Sequence, residues 1–373
     1  MKNKTPRTEQ GERLQSLDAL RGFDMLWIIG GGLFFHSAAQ AVDWGWLHQL
    51  ALQTHSHVEW EGFRFYDNIF MLFMFMSGVA IPYAITSKQE KGISRTKLFW
   101  KVLKRMALLV LLGLIYNGTL RDGFQYPRFA SVLGQIGIAY FLAALIAMYT
   151  KTIKARILWI AGILGGIAIL QLAVPVPGYG AGNLTPEGSI NAWVDQHFLP
   201  GKLIFGTYDP EGVLCIIAAA AVTLMGTLAG SLLRGTARSP GRKALFLALS
   251  GAGLVAAALA LNPVYPIIKK ISTVPFNLLA GGVSFLLLAL FYFVIDVKGW
   301  KKWAFPFRVI GLNSITIYMA TALIDFTHTS NFLLGWLKTP AGAFGPAIIT
   351  AGVLAIEWLG LYYLYKKKIF LRV

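Results

Sequence analysis

Charge is scarce in this sequence and cysteine nearly absent. Of the 373 residues only 14% are charged, while 56% are hydrophobic, a balance outside the range of soluble domains. A single cysteine, Cys215, excludes disulfides within the chain. The sequence has no helical His pair and no cysteine cluster, so the one metal pattern left is His55-x-His57-x-Glu59 on an extended segment. It also lacks a polar stretch long enough for a soluble module and a visible inverted repeat of the transporter kind.

Apolar runs fill the space that these absences leave. Ten runs recur at roughly the 17 to 22 residues that cross about 30 Å of hydrocarbon. They are Leu20–Ala41, Asp67–Ile85, Leu98–Tyr116, Ala130–Tyr149, Ile157–Val174, Val213–Leu233, Ala244–Leu261, Phe276–Ile295, Val309–Phe326 and Pro346–Tyr365. They are too long and too free of alternation for barrel strands, and in lipid each segment must satisfy its own backbone. An all-α integral membrane protein is expected, a single domain over 1–373 with about ten transmembrane helices.

Basic residues set the orientation. Of 34 Lys and Arg, 26 fall in alternate connections and at both termini, seven fall on the other side, and Arg21 lies near the start of helix 1. Because Lys and Arg collect on the cytoplasmic face, the N-terminus and C-terminus are expected inside. The excess of positive charge is then an orientation signal and argues against nucleic acid as a partner. Residues 1–19 form a cytoplasmic segment, and 175–211 form the long outer loop between helices 5 and 6, carrying Tyr179, Trp193, His197 and Tyr208 as lid or interfacial anchors. Ala39-Gln40-Ala41 has the composition of a signal-peptide cleavage site, but Asp18, Arg21 and Asp24 upstream fit one poorly.

Three polar groups carry possible chemistry. His55, His57, Glu59, Glu61 and Arg64 precede helix 2 on the outer face, with Asp67 in its first turn. A histidine there can act as base or as nucleophile, oriented by Asp67 or Glu59; Asp67 can equally well serve the helix dipole. On the inner side Asp18, Arg21 and Asp24, spaced three apart, read as one face of helix 1, either a neutralised ion cluster or a binding element. Lys97, Lys101, Lys104 and Arg105 can hold a nucleotide's phosphates or snorkel to lipid headgroups. Asp209 and Glu211 at the mouth of helix 6, and Asn313 at the start of helix 9, are candidate substrate contacts with ordinary structural alternatives.

Taken together, RLQSLDALRGFDMLWIIGG (13–31), HVEWEGFRFYDNIFMLFMFMSGVA (57–80), KRMALLVLLGLIYNG (104–118), RFASVLGQIGIAYF (128–141), YDPEG (208–212) and GLNSITIYM (311–319) resemble the heparan-α-glucosaminide N-acetyltransferase family. The resemblance implies transfer of an acetyl group from cytosolic acetyl-CoA to an amino sugar or glycan across the membrane. It implies that His57 is catalytic, with Trp60 and Gly62 in register and Trp60 at the substrate. Arg21, Lys101, Lys104, Arg105 and Gln135 would then hold the cosubstrate, without a metal, and the enzyme would be a homodimer. The short segment before helix 1 points to a bacterial relative in the inner membrane. Gly30-Gly31-Gly32 stands where the eukaryotic branch has asparagine, and Gly134-Gln135 where many relatives read Gln-Arg. The competing reading is a transporter or flippase for a glycan precursor, with His57 coupling protons.

Overall fold

The computed structural model describes residues 14–123 and 126–371; Lys2, Lys4, Arg7, Arg13 and Arg372 of the basic termini lie outside them. Among the described residues there is no β-strand, only isolated bridges. In chain order the helices are α1 (Gln15–Leu26), α2 (Gly32–Ala39), α3 (Gly45–His55), α4 (Phe65–Ile81), α5 (Ser87–Glu90), α6 (Arg95–Tyr116), α7 (Thr119–Asp122), α8 (Val132–Tyr149) and α9 (Ile153–Ala173). There follow α10 (Ile190–Phe198), α11 (Val213–Arg234), α12 (Pro240–Leu261), α13 (Val274–Phe291), α14 (Phe305–Leu312), α15 (Ser314–Leu323), α16 (Phe326–Leu334) and α17 (Gly345–Lys366).

Among the described residues, seven helical stretches are long and apolar enough to cross a membrane: Phe65–Glu90, Val132–Tyr149, Ile153–Ala173, Val213–Arg234, Pro240–Leu261, Val274–Val297 and Gly342–Lys366. The other three expected spans differ for separate reasons. Helix 1 is interrupted between α1 and α2 by a π turn, Trp27–Gly31, where Gly30 takes φ 134°, a backbone that side-chain-bearing residues rarely adopt. The third, α6, carries Lys97, Lys101, Lys104 and Arg105 in its first half. The ninth is broken at Asn313, which leaves α14 and leads α15 with φ −127° and ψ 34°. Short helices α3, α10 and α16 occupy connections in which no element was expected.

Local sequence explains the starts. Ser94, Ser131, Thr152 and Ser189 each accept a backbone N–H from the first turn of the helix that follows, satisfying donors that have no partner inside the helix. In α4 the third helical residue, Asp67, reaches back to the Arg64 N–H at 2.9 Å, so the helix begins at Phe65, before the expected Asp67.

Small residues bring the central helices together. A Cβ on Gly78 would fall 1.9 Å from the Thr223 carbonyl oxygen, and one on Gly226 2.0 Å from that of Phe75, so α4 and α11 touch backbone to backbone. The same device joins α1 to α14 through Gly22 and Gly311. Of their most apolar windows, 78% of the α11 residues and 67% of those in Phe65–Glu90 are buried, against 17% for α9 and 22% for α12. The first pair is therefore the core and the second the periphery.

Candidate active site

The segment between α3 and α4 is fixed at both ends. Arg64 donates to the Ser56 hydroxyl (2.7 Å) and to the His57 carbonyl (2.8 Å), curling residues 56–64 into a loop. The Gly62 N–H donates to the Ile267 carbonyl at 2.8 Å, and Glu61 bridges to Ile268, which docks that loop on the 262–273 connection. Trp60 donates its indole N–H to the Leu184 carbonyl (3.1 Å) and meets Tyr208 edge to face. Residues far apart in sequence thus surround His57.

His57 Nδ1 lies 2.7 Å from Asp67 Oδ1. An ionised carboxylate only accepts, so Nδ1 carries the proton and Nε2 presents a lone pair. The carboxylate is fully buried while the imidazole keeps 37% of its side-chain surface open, and the Tyr66 ring lies against it at 4.7 Å between centroids. Burial pushes the imidazole below its ordinary pKa; the hydrogen bond to Asp67 opposes this, and the charges of Lys269 and Lys270 add to the lowering. The ring is consequently neutral at pH 7. A neutral imidazole with Nδ1 engaged and Nε2 open is the state a base or nucleophile requires.

One turn of α4 beyond Asp67, at Phe70, the wall of a cavity of about 590 Å³ begins, with neither His57 nor Asp67 in its lining. Its wall includes Phe70 and Tyr318 near the His57 end and Tyr83, Arg105, Asp18 and Arg21 at the other. From Phe70 to Ala84 the lining follows roughly 21 Å of helix at about 1.5 Å per residue. Lys269 Nζ sits 5.8 Å from the Phe70 ring centre, linking the cavity's end to the dyad, and Tyr318 stacks on Tyr116 at 4.3 Å.

A second buried carboxylate pair lies nearby. Arg128 grips Asp209 through Nε (2.8 Å) and a terminal nitrogen (2.6 Å), and also meets Glu211. Burial works against the guanidinium charge, but the two acids outweigh it and hold its pKa above the ordinary value. Asp195 in turn accepts the N–H groups of Asp209 and Val213, each at 3.0 Å; burial raises its carboxyl to about 6. This turn has its polar atoms matched within itself and supports the start of α11.

The expected site residues divide accordingly. His57 and Asp67 come together, with Trp60 anchoring their loop, while Glu59 is exposed and makes no side-chain hydrogen bond among the described residues. Arg21 and Arg105 line the cavity, whereas Lys101 and Lys104 are exposed on α6. Gln135 is buried one turn inside α8 and does not line the cavity, although its neighbours Leu133 and Ile136 do. Asp209 is taken up by Arg128 and backbone donors; Glu211 keeps 14% of its side chain exposed. Asn313 gives its amide to the Ile369 carbonyl and accepts from the Leu371 N–H, so it ties down the chain's tail.

Two further arrangements differ from expectation. Asp18 and Arg21 share the cavity, but Asp24, ~120° around the helix from Asp18, is buried away from it. The three-apart spacing therefore does not make one face. His55 stacks on His36 at 4.6 Å while His57 turns to Asp67, so the His55-x-His57-x-Glu59 side chains do not converge on a metal. Sequence reasoning missed Lys269, Arg128, Tyr66 and the Tyr116–Tyr318 stack. One signal was present: Arg64, Arg128 and Lys269 belong to the seven basic residues that run against the charge bias.

With the geometry described, comparison with known proteins gives it a context. A family profile described as a domain of unknown function, DUF5009, matches residues 13–182. Heparan-alpha-glucosaminide N-acetyltransferase of Mus musculus is 25% identical over an alignment of 427 residues covering 98% of this chain and 61% of the mouse protein. The Homo sapiens protein of the same name is 25% identical, with 97% and 60% covered. The chain thus spans about three-fifths of the length of these curated relatives. A match that runs nearly end to end, on an all-helical framework with membrane-length helices, makes this chain a distant relative of heparan-alpha-glucosaminide N-acetyltransferase.

Proposed function

We propose that this protein is a transmembrane acyltransferase that moves an acetyl group from cytosolic acetyl-CoA to an amino sugar or glycan on the opposite side of the membrane. The observation that carries this reading is a basic-ended cavity whose wall reaches Phe70, one turn of α4 beyond the Asp67 that holds His57. Arg21 and Arg105 at one end suit an anionic headgroup, and the Arg105 Nε is buried without a protein partner among the described residues. The apolar wall between suits a slender uncharged arm, because bringing the phosphates themselves through hydrocarbon would be costly. Acetyl-CoA supplies the activated thioester when bound.

In this reading His57 Nε2 removes the proton from the attacking amine and Asp67 fixes the tautomer that makes this possible. The imidazole's depressed pKa keeps it free to accept a proton at neutral pH. Tyr66 and the Tyr116–Tyr318 stack give the vestibule aromatic walls against which a sugar ring can lie. Ten spans with both termini in the cytoplasm, a location in a bacterial inner membrane and assembly as a homodimer belong to the same proposal.

Purified protein in detergent, incubated with radiolabelled acetyl-CoA and a panel of amino sugars, tests it. Label should move to at least one sugar, His57→Ala should abolish the transfer, and acetyl-CoA should raise the Tm because it binds only the folded protein. Transfer that persists undiminished in His57→Ala would overturn the assignment of the base. Flux of intact sugar into proteoliposomes without acetyl-CoA would instead favour a transporter.

A further inference from the structure

A lysine distant in sequence completes the His57–Asp67 pair. Lys269 belongs to the 262–273 connection, which is held rigidly: the Ile268 N–H donates to the Thr273 hydroxyl at 3.0 Å, and that hydroxyl donates to the Pro266 carbonyl at 2.9 Å. Its Nζ lies 2.9 Å from His57 Nδ1, 3.1 Å from Nε2 and 3.6 Å from Asp67 Oδ1. The lone-pair directions of the two ring nitrogens diverge in the ring plane, so a group almost equidistant from both sits against the ring and not on either lone pair. The in-plane lone pair of Nε2 is therefore not taken by this ammonium.

Lys269 forms an ion pair with Asp67 at 3.6 Å, yet its closest contacts are to the His57 ring. One carboxylate oxygen already accepts from His57 and the other from the Arg64 N–H, and the ammonium is beyond hydrogen-bond distance of Asp67 Oδ1. Only 14% of the Lys269 side chain is exposed, and burying an ammonium is costly unless its charge has a use. Its remaining approach is toward Phe70, in the cavity wall. The ammonium thus lies against the imidazole and 5.8 Å from the ring centre of Phe70, a residue of the cavity wall.

Resting on the acyltransferase reading, we infer that Lys269 is a second catalytic residue, whose ammonium polarises the thioester carbonyl and holds the oxyanion of the tetrahedral intermediate. The acceptor nitrogen bonds to the carbonyl carbon, and the carbonyl π pair moves onto the oxygen beside Nζ. His57 Nε2 takes the proton that the nitrogen loses. As the C=O reforms, the C–S bond breaks and the departing sulfur receives that proton from the imidazolium, leaving an amide and a free thiol. Lys269 keeps its protons throughout and acts by charge, the term that dominates in water-poor sites.

The same charge bears on His57. The titratable and charged groups around His57 are Asp67 and Tyr66 from α4, Arg64 just ahead of it, Lys269 and Lys270 from the 262–273 connection and Glu211 from the turn before α11. Removing one cation from this set makes His57 easier to protonate.

The test compares wild type, His57→Ala, Lys269→Met and Lys269→Arg in detergent, following release of free CoA from acetyl-CoA with glucosamine or water as acceptor. Lys269→Met should slow release by about 10²- to 10³-fold and move the acidic limb of the pH–rate profile upward. Lys269→Arg, which keeps the charge, should recover most of the rate and leave the limb in place, and acetyl-CoA should protect all four proteins equally against heat. Lys269→Met acting within about threefold of wild type, or losing rate only in step with its Tm and with an unmoved limb, would overturn the inference. Release at the wild-type rate by Lys269→Met, with none by His57→Ala, would sink the lysine's role alone. No release by wild type with either acceptor would sink the acyltransferase reading, and this inference with it.

Discussion

Two carboxylate pairs sit near one another and differ in one chemical respect. Asp67 and Asp209 are both completely buried, and each meets a nitrogen base from another part of the chain at 2.7 or 2.6 Å. The partner of Asp209 is a guanidinium that cannot lose its proton in water and whose fork is filled by Asp209 and Glu211. The partner of Asp67 is an imidazole, which can lose and regain a proton, and only its Nδ1 is bonded to the carboxylate. The first pair can only hold; the second can hold and also exchange a proton. Buried charge alone does not distinguish scaffold from chemistry, whereas a titratable group with an open valence does.

Mutation separates the pairs most sharply at His57. His57→Ala should reduce transfer by about 10²- to 10⁴-fold with a smaller loss of Tm than Arg128→Met, because the ring is partly exposed and Asp67 keeps the Arg64 N–H and the Lys269 charge; initial rates and thermal unfolding on the same sample check both. Arg128→Met should do the reverse, destabilising by about 3–5 kcal/mol because Asp209 is left buried without its counter-charge. A lowered Tm with a near-normal rate per folded molecule is the expected pattern. Were Arg128→Met to keep its Tm and lose its rate, the division between the pairs would fail.

Asp67→Asn sharpens the comparison further. An amide can offer a donor to Nδ1, so the proton shifts to Nε2 and the rate should drop by roughly 10²-fold, a smaller loss than the equivalent change in a serine protease triad. NMR of labelled histidine reads the tautomer directly. The pH profile follows from the sign of the imidazole shift: the neutral form is active and burial lowers the pKa, so activity falls on the acid side with a limb below 6.5 and stays level above it. A limb above 6.5 would contradict the burial argument. At the other end of the bundle Lys104→Ala should change the Tm by less than about 0.5 kcal/mol equivalent and the KM for acetyl-CoA only slightly, since Lys104 does not line the cavity, while Arg21→Ala should raise that KM.

Much of the framework was legible because each membrane-length segment reports its own transfer free energy, independently of its neighbours. Seven spans were readable on that basis. The breaks at Gly30 and Asn313 were not, since hydropathy does not register a local change of φ and ψ. At the site, Asp67 was readable as a partner for His57 because ten residues and a helix start keep the two close. Lys269, 212 positions from His57, and Arg128, 81 from Asp209, were visible only as unexplained positive charges. The same limit affects Gln135, which the family resemblance marked, and Asn313, which its polarity marked, because their partners depend on which helix packs against which.

The sequence by itself determined that this protein is helical and belongs in a bilayer, because composition and segment length decide the cost of leaving water. It also marked the histidine ahead of α4, because short-range spacing fixes an acid beside it. Only the tertiary structure decided that Lys269 lies against the imidazole, that a cavity connects Arg21 to Phe70, and that Asp209 belongs to the scaffold. Those outcomes depend on glycine-mediated approach of helices distant in sequence, and no one-dimensional property of the chain encodes which backbones will touch.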